Sequence, residues 1–439
     1  MEIKEYLDNF SKIPCGCGKV HSSSVKDIIV KSGAILELTR LIEEFGVKKP
    51  FVLADANTFL VAGKRVLEIL DGANIKNSTF TFKEKELKPD DCAIEKAKSN
   101  FDNSCDLVIA VGSGVINDLG KIVAHEFNLP YFIVGTAPSM DGYASATSSV
   151  EVNGLKVSLN TKCAEVIIGD IDILKNAPEK MLVAGLGDML AKYISLAEWK
   201  IASEIVGEYY CERVADLVRT ALKTCVDNAG GLLKRDEKAV KAVFEGLVIG
   251  GVAMAYAGAS RPASGVEHYF SHIFDMRSLE FNTKVDFHGI QCAVATLLSA
   301  KLYEKVLLLT PNKEKALASV KEFNYQKYKR QLKAFLGKSA LAMVELEKTE
   351  KKYCKRKHKK RLEIILQKWE RIKEIIKSEI PTAKALEDLF DLLGAPKTFA
   401  EIGIDADLYF TFLATKDIRD KYVLSRLLWD LGETEIFYD

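Results

Sequence analysis

The stretch "RPASGVEHYFSHIFDM" (261–276) carries His268 and His272 four residues apart, a spacing that puts both on one face of a helix. "VDFHGIQCAVATLL" then opens another helix with His288 just before a glycine, so three of the six histidines fall between 268 and 288. Upstream, "AGLGDMLAKY" places Asp188 after two glycines and one turn before Lys192. An aspartate with two or three histidines is a borderline-hard donor set. It suits zinc, nickel or ferrous iron with a position left open for substrate. The pair is not the metalloprotease pattern, because Tyr269 follows the first histidine where those helices carry glutamate. Two histidines on a helix are in themselves as compatible with a structural role; the nearby acid tilts the reading towards a metal. Near the start, "CGCGKVH" offers Cys15, Cys17 and His21, three zinc-type ligands without a fourth, and reads as structural.

A second group of residues suits an anionic cofactor. "DLVIAVGSG" (106–114) runs straight into "VINDLGKIVAHEF", a strand, a glycine turn and a helix whose first N–H groups point to one place. Gly112 and Gly114 lack Cβ atoms, so an anion could approach the backbone, although a plain tight turn explains the same residues. The next strand ends in "GTAPSMDGYAS", a wall of small residues at a sheet edge that leaves room for a cofactor ring, with Thr136 and Ser139 available to its polar groups. Asp141 reads either as a group facing the reaction space or as a turn aspartate. Asp55, in "ADANT", reads equally as an acceptor for the adenine ribose hydroxyls or as a strand-end turn acid.

The elements that must position these residues are legible as two regions. Up to about residue 175, short β-branched runs alternate with helical patterns, which implies an α/β layer with a parallel sheet. Buried strands are expected in "KPFVLAD" (49–55), "DLVIAVGSG", "PYFIVGTAPS" (130–139) and "EVIIGDIDIL" (165–174), and a hairpin turning at Asn153-Gly154 in "VEVNGLKVSL" (150–159). After Pro178 nearly every segment has helical period, so the expected domains are 1–178, nucleotide-binding, and 179–439, all-helical. Residues 341–379 read as one long charged helix or a helical pair whose basic core, 351–361, is a solvated face. With 62 Lys and Arg against 61 Asp and Glu, net charge +1, the chain has no overall electrostatic footprint for nucleic acid or anionic membrane. Nine cysteines scattered along 439 residues argue for reduced thiols. The acidic first residues make no signal peptide, and "GLVIGGVAMAYAGAS" (246–260) is too short and Gly/Ala-rich to span a bilayer. A cytoplasmic protein is expected.

"GSGVINDLGK", "TAPSMDGYAS", "GLGDML", "SRPASGVEHYFSH" and "FHG", in this order, resemble the glycerol-1-phosphate dehydrogenases, and "IRDKYVLSRLLWDLG" resembles their bacterial, AraM-like branch. That family sits in the superfamily of iron-dependent alcohol dehydrogenase, glycerol dehydrogenase and dehydroquinate synthase. The resemblance implies a dehydroquinate synthase-like fold: an α/β domain that binds NAD(P), then an all-α domain for metal and substrate. It implies that Gly112, Ser113, Gly114, Val115, Ile116, Thr136, Ala137, Pro138 and Ser139 lie along NAD(P), with Ser145 near the nicotinamide and Asp55 at the adenosine ribose, which favours NAD. Asp188, His268 and His288 would hold one divalent metal, zinc, nickel or iron. Asp141, Asp188 and His272 would contact substrate, with His272 or a water relay supplying the proton. Many relatives read G-G-G where this chain reads G-S-G. The implied reaction is reduction of dihydroxyacetone phosphate to sn-glycerol 1-phosphate for prenyl- or ether-type glycerol lipids. A homodimer or larger homo-oligomer is implied, without stable membrane insertion or nucleic-acid binding. Lys192 and Arg261, each close in sequence to an expected metal ligand, are the candidate phosphate cations. Glycerol dehydrogenase and dehydroquinate synthase-type chemistry are the enzyme alternatives; a noncatalytic RNA- or lipid-binding protein using 351–361 is the alternative of another class.

Overall fold

Strands buried on both faces are continuous apolar runs, and four such runs form the middle of a parallel sheet. The computed structural model describes residues 3–84 and 86–438. In it β1 (Asp27–Lys31), β2 (Pro50–Asp55), β3 (Ser78–Phe82), β4 (Leu107–Gly112), β5 (Tyr131–Gly135) and β8 (Val166–Asp170) make one six-stranded sheet in the order β1-β8-β5-β4-β2-β3, every pair parallel. The inner strands β8, β5 and β4 are buried at every position, whereas the edges β1 and β3 are only partly covered. β6 (Thr147–Val152) and β7 (Leu155–Asn160) form the expected antiparallel hairpin, with Asn153 (φ 53°) and Gly154 (φ 72°) in the left-handed region its turn requires.

The chain passes from β2 outward to β3, returns to β4 on the other side of β2, and then continues to β5 and β8. The reversal between β2 and β4 is a topological switch point, where the strand ends open a crevice for a ligand. Asp55 ends β2 and Gly112 ends β4, with Ala54 paired to Val111 just before them.

No strand follows Asp170 among the described residues, so the change from sheet to helix falls where the sequence places it. The compact units divide differently: one is 1–189 with 216–259, the other 190–215 with 260–439. Three helices beyond residue 178, Glu179–Leu190, Glu212–Asp227 and Glu237–Ala257, lie wholly or mostly in the first unit. In Glu237–Ala257, Phe244 lies over β5 and β8, so close that a Cβ at Gly135 or Gly169 would stand 2.9 or 2.4 Å from its ring. This helix contains most of the apolar run 246–260 and is the one helix among the described residues long and apolar enough to cross a membrane. Its most apolar window is 72% buried in the protein, as a core helix is.

The second unit is helical throughout. Residues 341–379 are not one helix or a pair. They fall in three, Ala340–Glu350, Lys355–Gln367 and Trp369–Glu379, the first stopped by Lys351 in the left-handed conformation (φ 52°). The basic core is also only partly a solvated face. Arg361 forks onto Asp430 at 2.8 and 2.7 Å and His358 meets the Asp430 carbonyl at 2.8 Å, while Lys355, Arg356, Lys359 and Lys360 are exposed.

Candidate active site

In the first unit, β4 ends at Gly112 and the helix Gly114–Glu126 begins two residues later. Ser113, its N-cap, makes no side-chain capping bond, so the first-turn N–H groups remain for an anion at the switch point. The two glycines of the turn do different work. A Cβ on Gly112 would stand 2.5 Å from Ile116 Cβ, so its smallness is set by the helix's own first turn rather than by a ligand. A Cβ on Gly114 would meet nothing closer than Met140 Cγ at 3.7 Å, which leaves open space in front of the helix. Val115 and Ile116 are in that first turn, and Thr136 follows β5 with its N–H on the Gly112 carbonyl (3.1 Å). An uncapped helix start beside a switch point fits the pyrophosphate of a dinucleotide. Asp55 is the N-cap of the short helix after β2: Oδ1 accepts the Asn57 and Thr58 N–H groups at 2.8 and 2.9 Å, which realises its turn reading.

The small-residue stretch 136–148 is held by helices on both sides. A Cβ on Gly185, in "GLGDML", would overlap the Pro138 carbonyl oxygen at 1.7 Å, and one on Gly251 would lie 2.9 Å from Ala144 Cβ and 3.0 Å from the Asp141 carbonyl. Ala137, Pro138, Ser139 and Ala144 are buried there, so much of the stretch is small because helix backbones lie against it. Asn117 and the fully buried Lys121 bond the Gly142 carbonyl (3.1 and 3.3 Å), and Lys121 also reaches the Thr147 carbonyl at 2.6 Å. Ser145 Oγ turns back to Thr147. Asp141 is half-buried, and its N–H donates to Asp188 Oδ2 at 2.9 Å; Asp188, on Glu179–Leu190, is fully buried. The loop thus ties one expected substrate-contacting acid to one expected metal ligand.

In the second unit, His268 and His272 lie on Val266–Phe281 and His288 starts His288–Leu308. The rings of His268 and His288 are 5.0 Å apart between centroids, and those of His272 and His288 6.0 Å. Each of the first two has its Nδ1 engaged. His268 Nδ1 is 2.8 Å from Glu267 Oε1, and His288 Nδ1 is 2.9 Å from Ser271 Oγ. With Nδ1–H donating to those oxygens, both rings offer Nε2 lone pairs, the arrangement that orients metal-ligating histidines. The donor set therefore fits a divalent cation. Cys292 Sγ is 3.6 Å from His288 Nε2, and its thiol is drawn below the ordinary range: burial raises it, but His268 and His288 outweigh burial. Glu267 is fully buried; Oε1 also accepts the Gly265 N–H at 2.7 Å, and Oε2 has no hydrogen-bond partner among the described residues. Its neighbour Glu198 is pushed up to about 8, first by burial and then by the Glu267 charge.

The two expected phosphate cations are both buried. Lys192 is wholly enclosed at the start of Lys192–Val206. Arg261 gives Nε and Nη2 to the Glu208 carboxylate and Nη1 to the Tyr422 carbonyl (3.1 Å), so its guanidinium is committed within the protein. Nearby, Lys421 donates to the Ser264 carbonyl at 2.8 Å on the loop leading into His268's helix. Desolvation, then the Arg261 and Arg419 guanidiniums, lower its ammonium to about 7. Arg419 itself is exposed. Sequence reasoning passed over Glu267, Ser271, Cys292, Arg419 and Lys421. Glu267 stands next to a quoted histidine, and Arg419 and Lys421 lie inside the quoted "IRDKYVLSRLLWDLG", yet residue type alone does not distinguish them from solvated charges.

Residues 29–178 match the iron-containing alcohol dehydrogenase family. Glycerol-1-phosphate dehydrogenase (NAD(P)+) of Bacillus velezensis is 33% identical over 307 residues, 68% of this chain and 78% of the relative. The enzyme of the same name from Methanosarcina mazei is 33% identical over 279 residues, 63% of this chain and 76% of the relative. Among solved structures, a probable glycerol dehydrogenase from Sinorhizobium meliloti 1021 aligns with TM-score 0.59 and 16% identity over 94% of this chain and 97% of that one. Maleylacetate reductase from Rhizobium sp. strain MTP-10005 gives TM-score 0.61 and 15% identity over 95% and 97%. At those identities the structural likeness shows the fold alone: a parallel-sheet region followed by helices. The chain belongs to the glycerol-1-phosphate dehydrogenase family.

Proposed function

We propose that this protein is an NAD(P)-dependent sn-glycerol-1-phosphate dehydrogenase that reduces dihydroxyacetone phosphate reversibly. The observation that carries the reading is the pair His268 and His288, rings 5.0 Å apart and each with Nδ1 held by a neighbouring oxygen, in a member of this family. Asp188, His268 and His288 are the residues assigned to one zinc, nickel or iron ion, and the turn 112–116 with 136–139 and Ser145 to the dinucleotide. When bound, the cation polarises the C2 carbonyl and the reduced nicotinamide supplies the hydride. Glu267 and Ser271 keep the two imidazoles in the ligating tautomer. His272, beside His288, holds the proton destined for the C2 oxygen. Asp141 accepts a hydrogen bond from the substrate's remaining hydroxyl, and its tether to Asp188 fixes that acceptor. Lys421 and Arg419 take the phosphate; Arg261 acts on it through Lys421's charge state rather than by contact. Asp55, though a helix cap, places an acidic side chain at the end of β2, which disfavours a 2′-phosphate and supports a preference for NADH. None of the nine cysteines is in a disulfide, which supports a cytoplasmic enzyme, and assembly as a homodimer follows the resemblance.

The test is NADH oxidation with dihydroxyacetone phosphate before and after chelation, with chiral analysis of the product. Activity restored by a divalent cation and an sn-glycerol 1-phosphate product support the reading; an sn-glycerol 3-phosphate product, or turnover indifferent to exhaustive chelation, defeats it. Within that assay Asp141→Ala loses one charge-assisted hydrogen bond, roughly 1.5–3 kcal/mol, so kcat/KM falls about ten- to a hundredfold with NADH affinity unchanged.

A further inference from the structure

The motif "CGCGKVH" lies outside everything assigned above. We propose that Cys15, Cys17 and His21 bind a zinc ion at a second, structural metal site in the first unit. The turn is closed by the Gly18 N–H on the Cys15 carbonyl (3.2 Å), with Gly18 in the left-handed region at φ 78°, where a side chain would be strained. It brings Cys15 Sγ, Cys17 Sγ and a nitrogen of His21 within 4.8 Å of one another. Cys17 Sγ is 3.4 Å from His21 Nε2. Tetrahedral zinc, with bonds of about 2.3 Å to sulfur and about 2.0 Å to nitrogen, sets those two atoms about 3.5 Å apart.

His21 supplies an independent observation. It is buried, and its Nδ1 is 2.9 Å from the Tyr256 carbonyl, a group that only accepts. The ring proton therefore sits on Nδ1, and Nε2 presents its lone pair to the cysteines. This is the outer hydrogen bond that ligating histidines make. Phe10 and Tyr256 rings at 6.0 and 5.9 Å fix the imidazole plane. A simple thiol-to-imidazole hydrogen bond involves Cys17 alone, whereas Cys15 Sγ lies in the same cluster. Two thiolates and one imidazole are a soft set that selects zinc over magnesium or calcium. The ion would fasten the N-terminal segment, whose helix Ile3–Lys12 already packs on Tyr256: Phe10 stacks on that ring at 5.2 Å and the Tyr256 hydroxyl donates to the Leu7 carbonyl at 3.2 Å.

The experiment is metal analysis of the full-length, zinc-loaded protein kept reduced, alongside Cys15→Ser/Cys17→Ser, His21→Ala and His268→Ala. The expected result is loss of one zinc equivalent per chain in each of the first two variants. The metal that depends on His268 should stay in both, and Tm should fall by about 5 °C or more. Full zinc content in both N-terminal variants overturns the proposal. Should those variants fail to fold, cobalt substitution of wild type and Cys292→Ser decides. A thiolate-to-cobalt charge-transfer band present in both supports the site, and its absence from Cys292→Ser overturns it. Since neither readout is turnover, failure here is distinct from failure of the dehydrogenase reading.

Discussion

At the scale of single residues, the second unit concentrates its chemistry on Glu267. The fully buried carboxylate holds His268, and one of its oxygens lacks a hydrogen bond among the described residues. A neutral amide there keeps the shape but loses the charge that makes the imidazole a stronger donor. Glu267→Gln should therefore weaken metal binding about ten- to a hundredfold, with activity largely recovered at saturating metal. A competition titration against a chromogenic chelator checks it, and an unchanged affinity would show that Glu267 is only packing. Lys421 gives a pH signature. Its ammonium is lowered to about 7, so the charge that attracts phosphate is present below that pH and lost as pH rises through it. KM for dihydroxyacetone phosphate should climb between about pH 7 and 9, while KM for unphosphorylated dihydroxyacetone stays level. Lys421→Met should flatten the phosphate-substrate profile and raise KM roughly tenfold or more at pH 6.5. Parallel profiles for the two substrates in wild type would remove Lys421 from the phosphate site.

Elements carry a different kind of constraint, because a helix moves as one body. Gly185 lets the helix Glu179–Leu190 lie against the Pro138 carbonyl, and that contact holds the loop on which Asp141 hangs. Gly185→Ala forces helix and loop apart, with an expected stability loss of about 1–3 kcal/mol and a fall in kcat/KM. Gly114→Ala is the contrasting case: its Cβ has room within the protein, so Tm should hold while KM for NADH rises. Thermal melts with steady-state kinetics separate the two, and equal loss of Tm in both would refute the distinction. In the other unit, the partly buried Arg361 and the fully buried Asp430 are a bidentate pair reinforced by the Tyr422 hydroxyl on Asp430 (2.9 Å). Arg361→Ala strands the Asp430 charge and should cost about 3–5 kcal/mol. Lys359→Glu with Lys360→Glu, on the exposed side of the same helix, should leave denaturant midpoints unchanged; the opposite ranking would restore the basic segment as a purely solvated face.

Across the whole molecule, 62 basic and 61 acidic residues cancel, so function resides in local arrangements rather than in a field over the surface. The glycine turn proposed for the dinucleotide and its switch point belong to one compact unit, the three histidines to the other. Hydrogen exchange read by segment should reflect that division. NADH should slow exchange at the ends of β2 and β4 and in the first turn of Gly114–Glu126. Metal added without nucleotide should slow the first turns of Val266–Phe281 and His288–Leu308. NADH protection absent from the β4 turn would displace the dinucleotide from the switch point.

The sequence by itself determined whatever depends on neighbours along the chain. β2, β4, β5 and β8 were legible because sheet burial on both faces leaves an unbroken apolar run. The Asn153-Gly154 hairpin was legible from its turn chemistry, and the helical second half from its period. The quoted motifs carried the family, and with it the candidate metal and cofactor residues. Tertiary structure decided what depends on approach between distant residues. It gave Asp55 a helix cap, matched Arg261 to Glu208, and divided 341–379 into three helices. It also gave the small residues of "TAPSMDGYAS" a second reason to be small. Gly185 and Gly251 bring helix backbones against that loop from far along the chain, and no local pattern records which surfaces will meet once the core closes. His21 shows the same limit: its partner is a carbonyl at Tyr256, and a backbone carbonyl has no residue type for a sequence to display.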